Sequence, residues 1–272
     1  MEDPKNTVWK AKDIASGYSD MEGLIRDITL DIKSGERVAL LGHEKSGRSL
    51  LLRVLAGLRP IRSGELTILD EELPVLPFWA DWDEILPPEK RRKMGVCLER
   101  EGLLSNVTAR EGLELLFRFK YGDHNVKLRE GATRVVNQLA ERFGVTNVLD
   151  KRPHALTAAE KRLVGLARAF LSKPSILVLE NPSENMGNLN RHRFLSVMEE
   201  ICSATERTLL VSTDDWPLAY KFCPRWIVMT EGTISFDGSP ENYLKSGDDL
   251  AQQIKKLMDR NQIVEEVLGK TI

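Results

Sequence analysis

The sequence predicts an α/β fold, a parallel β-sheet whose strands are joined by helical crossovers. Three observations carry this expectation. Short apolar runs typical of buried strands stand at residues 37–42 and 176–179, with a further strand at 208–212. Segments with apolar residues at 3 and 4 spacing, the period of amphipathic helices, lie between and around them. Finally, residues 37–58 read as strand, glycine-rich turn and helix in direct succession.

Taken in order, residues 7–14 lead through Gly17-Tyr18 to 24–32, where Ile25, Ile28, Leu30 and Ile32 partly alternate with charged residues, as half-buried strands do. Ser34-Gly35-Glu36 is a turn before the first apolar run. The helix at 49–58 ends on Gly57 with Pro60 beyond, sound helix-stop chemistry. Residues 64–70 read as another strand, and the Pro- and Trp-rich stretch 71–93 as an insertion or long loop, with Trp79 and Trp82 covering core. Helices follow at 111–121, 128–143, 157–171 and 189–202. A hairpin joins 226–229 to 233–236 through Glu231-Gly232, and residues 248–269 are helical. No internal repeat or low-complexity tract appears.

Composition narrows the function classes. The 272 residues make one large or two small domains, and 42% hydrophobic with 29% charged residues excludes disorder and collagen-like structure. Lys+Arg 39 against Asp+Glu 41 leaves −2, no basic excess for a nucleic-acid partner. The three scattered cysteines, Cys97, Cys202 and Cys223, fit a reducing compartment. The first five residues do not read as a signal peptide, and no stretch approaches the roughly 18 apolar residues of a membrane span. The chain is not expected to cross the bilayer itself, which leaves docking on a membrane protein open.

Gly42-His43-Glu44-Lys45-Ser46-Gly47-Arg48-Ser49 fits Gly-x4-Gly-Lys-Ser/Thr except that Arg48 replaces the lysine. Glycines let successive backbone N–H groups face phosphate oxygens, a cation takes the terminal phosphates, and the Ser49 hydroxyl suits Mg²⁺. The helix that follows offers its N-terminus to an anion. Arg48 keeps the charge but is a planar fork, not a compact ammonium. A βα turn that binds nothing is the competing reading.

Further segments fall in order around this loop, and with them the chain resembles the nucleotide-binding subunit of an ABC transporter along nearly its whole length. Leu156-Thr157-Ala158-Ala159-Glu160 takes the place of the family's signature, followed by Ala167-Arg168-Ala169 and Lys173-Pro174. Ile176-Leu177-Val178-Leu179-Glu180-Asn181-Pro182 matches Walker B, and Val211-Ser212-Thr213-Asp214 the switch-histidine segment. The resemblance implies an ABC ATPase, P-loop core with a helical subdomain near 100–165 and an N-terminal antiparallel β subdomain, together spanning 1–247. It implies ATP and Mg²⁺ as cofactors, a permease and a second ATPase subunit as partners, homo- or heterodimeric, and a peripheral place on the cytoplasmic face of the inner membrane. By the same resemblance, Tyr18 stacks on adenine; Gly42, Lys45, Ser46, Gly47, Arg48, Ser49 and Leu50 cradle phosphate; and Thr157, Ala158 and Ala159 face the partner's nucleotide. Ser49, Glu180 and Glu99 are the metal positions, and Asn181, Thr213 and Glu99 the catalytic ones.

Nearly every one of those chemical positions departs from the family. Arg48 stands for Lys, Glu99 for Gln, Thr157-Ala158-Ala159 for Ser-Gly-Gly, Glu180 for Asp, Asn181 for the catalytic Glu, Met186-Gly187 for Leu-Asp and Thr213 for His. Loss of a positioned base typically costs about 10²–10⁴-fold in rate. Thr213 has no imidazole for the γ-phosphate, and Glu99 puts a carboxylate where the family has an amide. Thr157-x-x-Glu160 is itself a capping box, so the signature doubles as a plain helix start. The expectation is a degenerate pseudo-ATPase that binds ATP weakly and with Mg²⁺, or not at all; an active but unusual ATPase and a soluble regulatory module are the alternatives. Residues 101–111 resemble the ATPases of MCE-type lipid-trafficking systems, which implies phospholipid transport. The tail at 248–272 carries Leu250, Ile254, Leu257, Met258, Val264, Val267 and Leu268 in an amphipathic stripe that packs back on its own domain or docks on a partner.

Overall fold

The computed structural model describes residues 7–17, 24–77, 86–99, 102–121, 126–204 and 207–268. Tyr18, Trp79 and Trp82, and the side chains of Val264, Val267 and Leu268, lie outside the described residues. The first half of the chain forms β1 (Thr7–Ser16), β2 (Ile25–Lys33), β3 (Arg37–Leu41), α1 (Arg48–Leu55), β4 (Ser63–Ile68), β5 (Glu71–Glu72), α2 (Pro88–Arg91) and β6 (Met94–Cys97). Then come α3 (Ala109–Tyr121), α4 (Val126–Phe143), α5 (Ala158–Phe170), β7 (Ile176–Glu180), α6 (Asn188–Ala204) and β8 (Thr208–Ser212). The chain closes with α7 (Trp216–Phe222), β9 (Arg225–Thr230), β10 (Thr233–Gly238), α8 (Pro240–Leu244) and α9 (Asp249–Leu268).

Two sheets result. The smaller is antiparallel, ordered β2-β1-β4-β5. The larger runs β10-β9-β3-β8-β7-β6, parallel except for the β9–β10 hairpin. The apolar runs are its central strands because both faces are covered. Ala39, Leu41, Leu177, Leu179, Leu209 and Val211 point into one core cluster. Val38, Leu40, Ile176, Val178 and Leu210 point into the other. The first cluster is filled by helices α3 to α7, the second by α1 and the small sheet. This is the α/β arrangement with an antiparallel sheet and a helical subdomain that the resemblance implied.

The periodic helices appear within a few residues of their expected limits, but five elements were not legible. β6 is the sheet edge beside β7, and α7 and α8 are short helices started by Asp215 and Ser239, whose side chains accept from Leu218 and Asn242 N–H. The Glu231-Gly232 turn is as expected, with φ positive at both residues (49° and 80°), the twist a two-residue hairpin requires. The stretch read as a loop at 71–93 contains β5 and α2. At the C-terminal end, Ala251 and Ile254 on the first turns of α9 are buried in the larger core cluster, with Leu250 and Met258 packed beside them. Among the described residues no helix is long and apolar enough to cross a membrane.

Candidate functional site

The glycine-rich loop leaves the end of β3 and enters α1, and its shape is fixed by packing. A Cβ on Gly42 would lie 2.5 Å from the Met229 carbonyl oxygen, and one on Gly47, where φ is 93°, 2.7 Å from Ile25 Cγ2. Both glycines are therefore demanded by close backbone approach. Ser46 N–H donates to the His43 carbonyl (3.1 Å), and the Ser46 carbonyl accepts from Gly232 N–H (3.0 Å), so the hairpin tip of β9–β10 holds the loop. Lys45 takes a positive φ of 64°.

A cavity of about 470 Å³ opens over the loop, within the usual range for a ligand site. Lys45, Ser46, Gly47, Arg48, Ser49 and Leu50 line it from below, and Glu99, Asn181, Glu184 and Asp214 from the ends of β6, β7 and β8. Parallel sheets place ligand sites at these carboxyl ends of strands. With Glu44, four carboxylates face two cations, Lys45 and Arg48. That balance disfavours an anionic ligand unless positive charge comes with it.

Arg48 does not project its charge into the cavity unpaired. The guanidinium is buried, donates to the carbonyls of Gly42 (3.1 Å) and Thr213 (3.0 Å), and grips both carboxylate oxygens of Asp214 in a bidentate pair. The planar fork sets two nitrogens side by side on the two oxygens of one carboxylate, a bidentate geometry that the single ammonium of lysine does not offer. The group expected to meet phosphate meets a carboxylate of its own chain.

The Walker B position is also satisfied internally. Glu180 is fully buried, and its carboxylate accepts from Arg53 of α1 (3.1 and 3.3 Å) and from Glu99 N–H (3.0 Å). Neither Glu180 nor Arg53 lines the cavity. Mg²⁺ takes near-octahedral oxygen ligands at about 2.0–2.1 Å, and a carboxylate already filled by a guanidinium and an amide does not fit it. Among the described residues no three His, Cys, Asp or Glu side chains gather to hold a metal ion. Of the three expected metal positions, Ser49 and Glu99 reach the cavity and Glu180 does not.

Asn181 lines the cavity in a left-handed conformation (φ 42°), with its N–H on the Ser212 carbonyl (2.7 Å) and its buried Oδ1 without a hydrogen-bond partner. Thr213 is buried, and its Oγ1 accepts from Asp215 N–H (2.9 Å), so this hydroxyl supports the start of α7. Asp215 in turn pairs with Arg191 and accepts from Ser183 Oγ (2.7 Å). Thr157, Ala158 and Ala159 stand apart at the start of α5 and do not line the cavity. There the capping box is complete: Thr157 N–H donates to Glu160 (2.7 Å) and Glu160 N–H to Thr157 Oγ1 (3.2 Å). The backbone N–H of Thr157 holds the Glu160 carboxyl below the usual range. Buried Arg162, one turn on, donates to the Leu98 carbonyl (2.7 Å) and lies 3.6 Å from Glu184, tying α5 to both walls of the cavity.

Sequence reasoning singled out the loop and the positions that depart from the motifs but missed Arg53, Glu184 and the role of Asp214. The signal for Arg53 was present, a lone cation in the apolar helix 49–58, but its partner lies 127 residues away.

Residues 25–184 match the family model described as ABC transporter. The chain is 28% identical over 225 residues to "Phosphonates import ATP-binding protein PhnC 1" of Rhodopseudomonas palustris, covering 81% of this chain and 80% of that one. It is 31% identical over 215 residues to "Maltose/maltodextrin import ATP-binding protein MalK" of Yersinia pestis, covering 79% of this chain and 54% of that longer one. Among solved structures, the ATP-binding cassette MJ0796 in a dimeric post-hydrolysis state bound to ADP and Pi superimposes with a TM-score of 0.73 at 24% identity, over 85% of this chain and 98% of that one.

Proposed function

Since the chain belongs to the ABC transporter family as a nucleotide-binding-domain subunit, we propose that it serves its complex as a degenerate pseudo-ATPase, a part that couples or stabilises without turning over ATP. One observation carries this reading: Arg48, the only cation at the Walker lysine position, is clamped on Asp214 and on two carbonyls. ATP, the ligand of this family, must displace an internal carboxylate to be held and then finds Asn181 where a base is needed. Asn181 orients by hydrogen bonds but takes no proton at neutral pH, so water at this site is not activated.

The partner surface lies on the helical side. Leu104, Leu116, Phe119 and Tyr121 expose apolar area beside a cleft of about 680 Å³ that also holds Arg91, Arg92 and Arg168. Exposed apolar area rimmed by charge marks interaction sites. We assign it to a permease segment, and the exposed start of α5 at Thr157 and Ala158 to a second ATPase subunit. We read residues 1–247 as the cassette, with its helical subdomain near 100–165, and residues 248–272 as a helical extension. The place is peripheral, on the cytoplasmic face of the inner membrane. For cargo we propose phospholipid, supported by residues 101–111 alone; the printed names of the relatives assign phosphonates and maltose to those proteins.

Phosphate release by the full chain, alone and in its membrane complex purified from its own host, is the test. No release above background is expected from sites built on this chain. Turnover of about 1 s⁻¹ or more, the lower end of ordinary enzymes, traced to this subunit would overturn the reading.

A further inference from the structure

The Walker B carboxylate is an orphan in an ordinary P-loop site until a divalent cation arrives. Here it is not. Glu180 sits in the core with no exposed surface, and both its oxygens have a partner: Oε1 has Arg53, and Oε2 has Arg53 and Glu99 N–H. Arg53 projects from α1 one turn beyond Ser49, on the helix that the loop feeds, so its charge enters the region from the protein side. A buried carboxylate must be paired, and the Arg53 guanidinium meets that need through one nitrogen, Nη2, shared between the two oxygens.

We infer that Arg53 is a resident cation: its guanidinium holds the position and charge that Mg²⁺ would bring, so the phosphate cavity operates without a divalent metal. The inference rests on the proposed function and deepens it, since it concerns the same cavity. Three features support it independently. Glu180 is outside the cavity lining, so a metal over Ser49 does not reach it. A dication near Glu180 would sit against the guanidinium, with like charges repelling in a poorly hydrated setting. The carboxylates that do face the cavity, Glu44 of the loop with Glu99, Glu184 and Asp214 from beyond three different strands, form no three-ligand cluster among the described residues. Two cations therefore serve this site from within, Arg48 beneath the loop and Arg53 behind Glu180, and each already has its carboxylate.

The experiment is calorimetric titration of ADP into the full chain, once with EDTA and once with excess Mg²⁺. Coincident isotherms are expected, and where neither buffer gives heat the Mn²⁺ titration below decides. Tightening by Mg²⁺ of about threefold or more, roughly half a decade in affinity, overturns it. A second measurement works from the opposite side: Arg53→Met frees the Glu180 carboxylate, and Mn²⁺ titrated into this variant is followed by electron spin resonance. The variant is expected to bind Mn²⁺ at least about tenfold more tightly than the native chain; equal binding by the two overturns the inference. If Arg53→Met does not fold, the native isotherms decide alone. The two ideas fail separately: Mg²⁺-tightened ADP binding without phosphate release removes the resident cation and leaves the pseudo-ATPase, whereas metal-indifferent turnover does the reverse.

Discussion

Releasing Arg48 from Asp214 should open the cavity to phosphate. The perturbation is Asp214→Asn, with Asp214→Ala as its companion. Arg48 is nearly buried, but the Asp214 side chain keeps 67% of its surface exposed, so solvent screens the pair and a deep-core figure does not apply. Exposed ion pairs contribute about 0.2–1 kcal/mol, and hydrogen bonds to charged groups about 1.5–3 kcal/mol. The bidentate geometry and the buried guanidinium place this pair between those ranges, at about 1–2 kcal/mol. A phosphate that displaces the carboxylate forfeits that amount, about 5–30-fold in affinity. Asp214→Asn also removes one of four negative charges around the cavity. ADP titrated calorimetrically without divalent cations should therefore bind the variant about tenfold more tightly than the native chain. The two carbonyl bonds of Arg48 survive the change, so the melting temperature should fall by only about 2–4 °C. ADP affinity unchanged or weakened in both variants, with the fold intact, would refute the argument that Asp214 competes with phosphate.

Three further outcomes are expected. Asn181→Glu alone leaves phosphate release at background, because Arg48 stays clamped and the Thr213 hydroxyl stays on Asp215; residues that act as a unit are not restored singly, and family-like turnover by the single variant would contradict this. Ending the chain after Ser246 removes buried Ala251 and Ile254 and half-buried Leu250 and Met258, which should lower unfolding free energy by about 3–5 kcal/mol, measured by urea denaturation; an unchanged midpoint would show that α9 only rests on the surface. Tyr243, buried beside Trp226 and Phe236, has its hydroxyl pushed above the ordinary value of 10, by burial first and then by its bond to Asp248. The folded chain thus holds this proton where the unfolded chain has released it, so the contribution is complete below pH 10 and is lost as pH rises beyond it. Denaturant midpoints between about pH 9 and 11 should fall less steeply in Tyr243→Phe, and equal slopes would dismiss Tyr243 as a source.

How much of this was legible depended on whether the cause was local. The buried strands at 176–179 and 208–212 were readable because coverage on both faces requires unbroken apolar residues. The helices were readable from their spacing, and the capping box of α5 from Thr157 and Glu160 alone. β6 was hidden by its own packing: Gly95 interrupts the apolar pattern, yet a Cβ there would lie 2.2 Å from the Ala169 carbonyl, so helix α5 demands the glycine that obscures the strand. The loop and the positions that depart from the motifs were singled out by motif. Their partners were not, since Arg48 meets Asp214 across 166 residues and Arg53 meets Glu180 across 127. Those pairings exist because the sheet order sets β3 beside β8 and β8 beside β7, bringing three strand ends together. The tail stripe was visible, but that Ala251 and Ile254 enter the core is decided by Tyr243 bonding Asp248 (2.7 Å) and turning α9 back onto the domain.

The same pairings explain why such a site is stable without its nucleotide. A working phosphate site leaves a lysine, a metal-directed carboxylate and a base only partly satisfied, and that cost is recovered when ligand binds. Here Arg48 joins the loop after β3 to the segment after β8, and Arg53 joins α1 to the end of β7. Four elements that ATP and Mg²⁺ would otherwise bridge are bridged by side chains. Arg162 extends the connection from Glu184 and the Leu98 carbonyl into α5, the helix that also borders the proposed permease cleft through Arg168. A ligand shifts a conformational equilibrium only by its differential affinity for the two states. A cavity whose arginine at the lysine position is already engaged gives ATP less of that difference, so under the proposed function the permease-facing side keeps one shape whatever the nucleotide level.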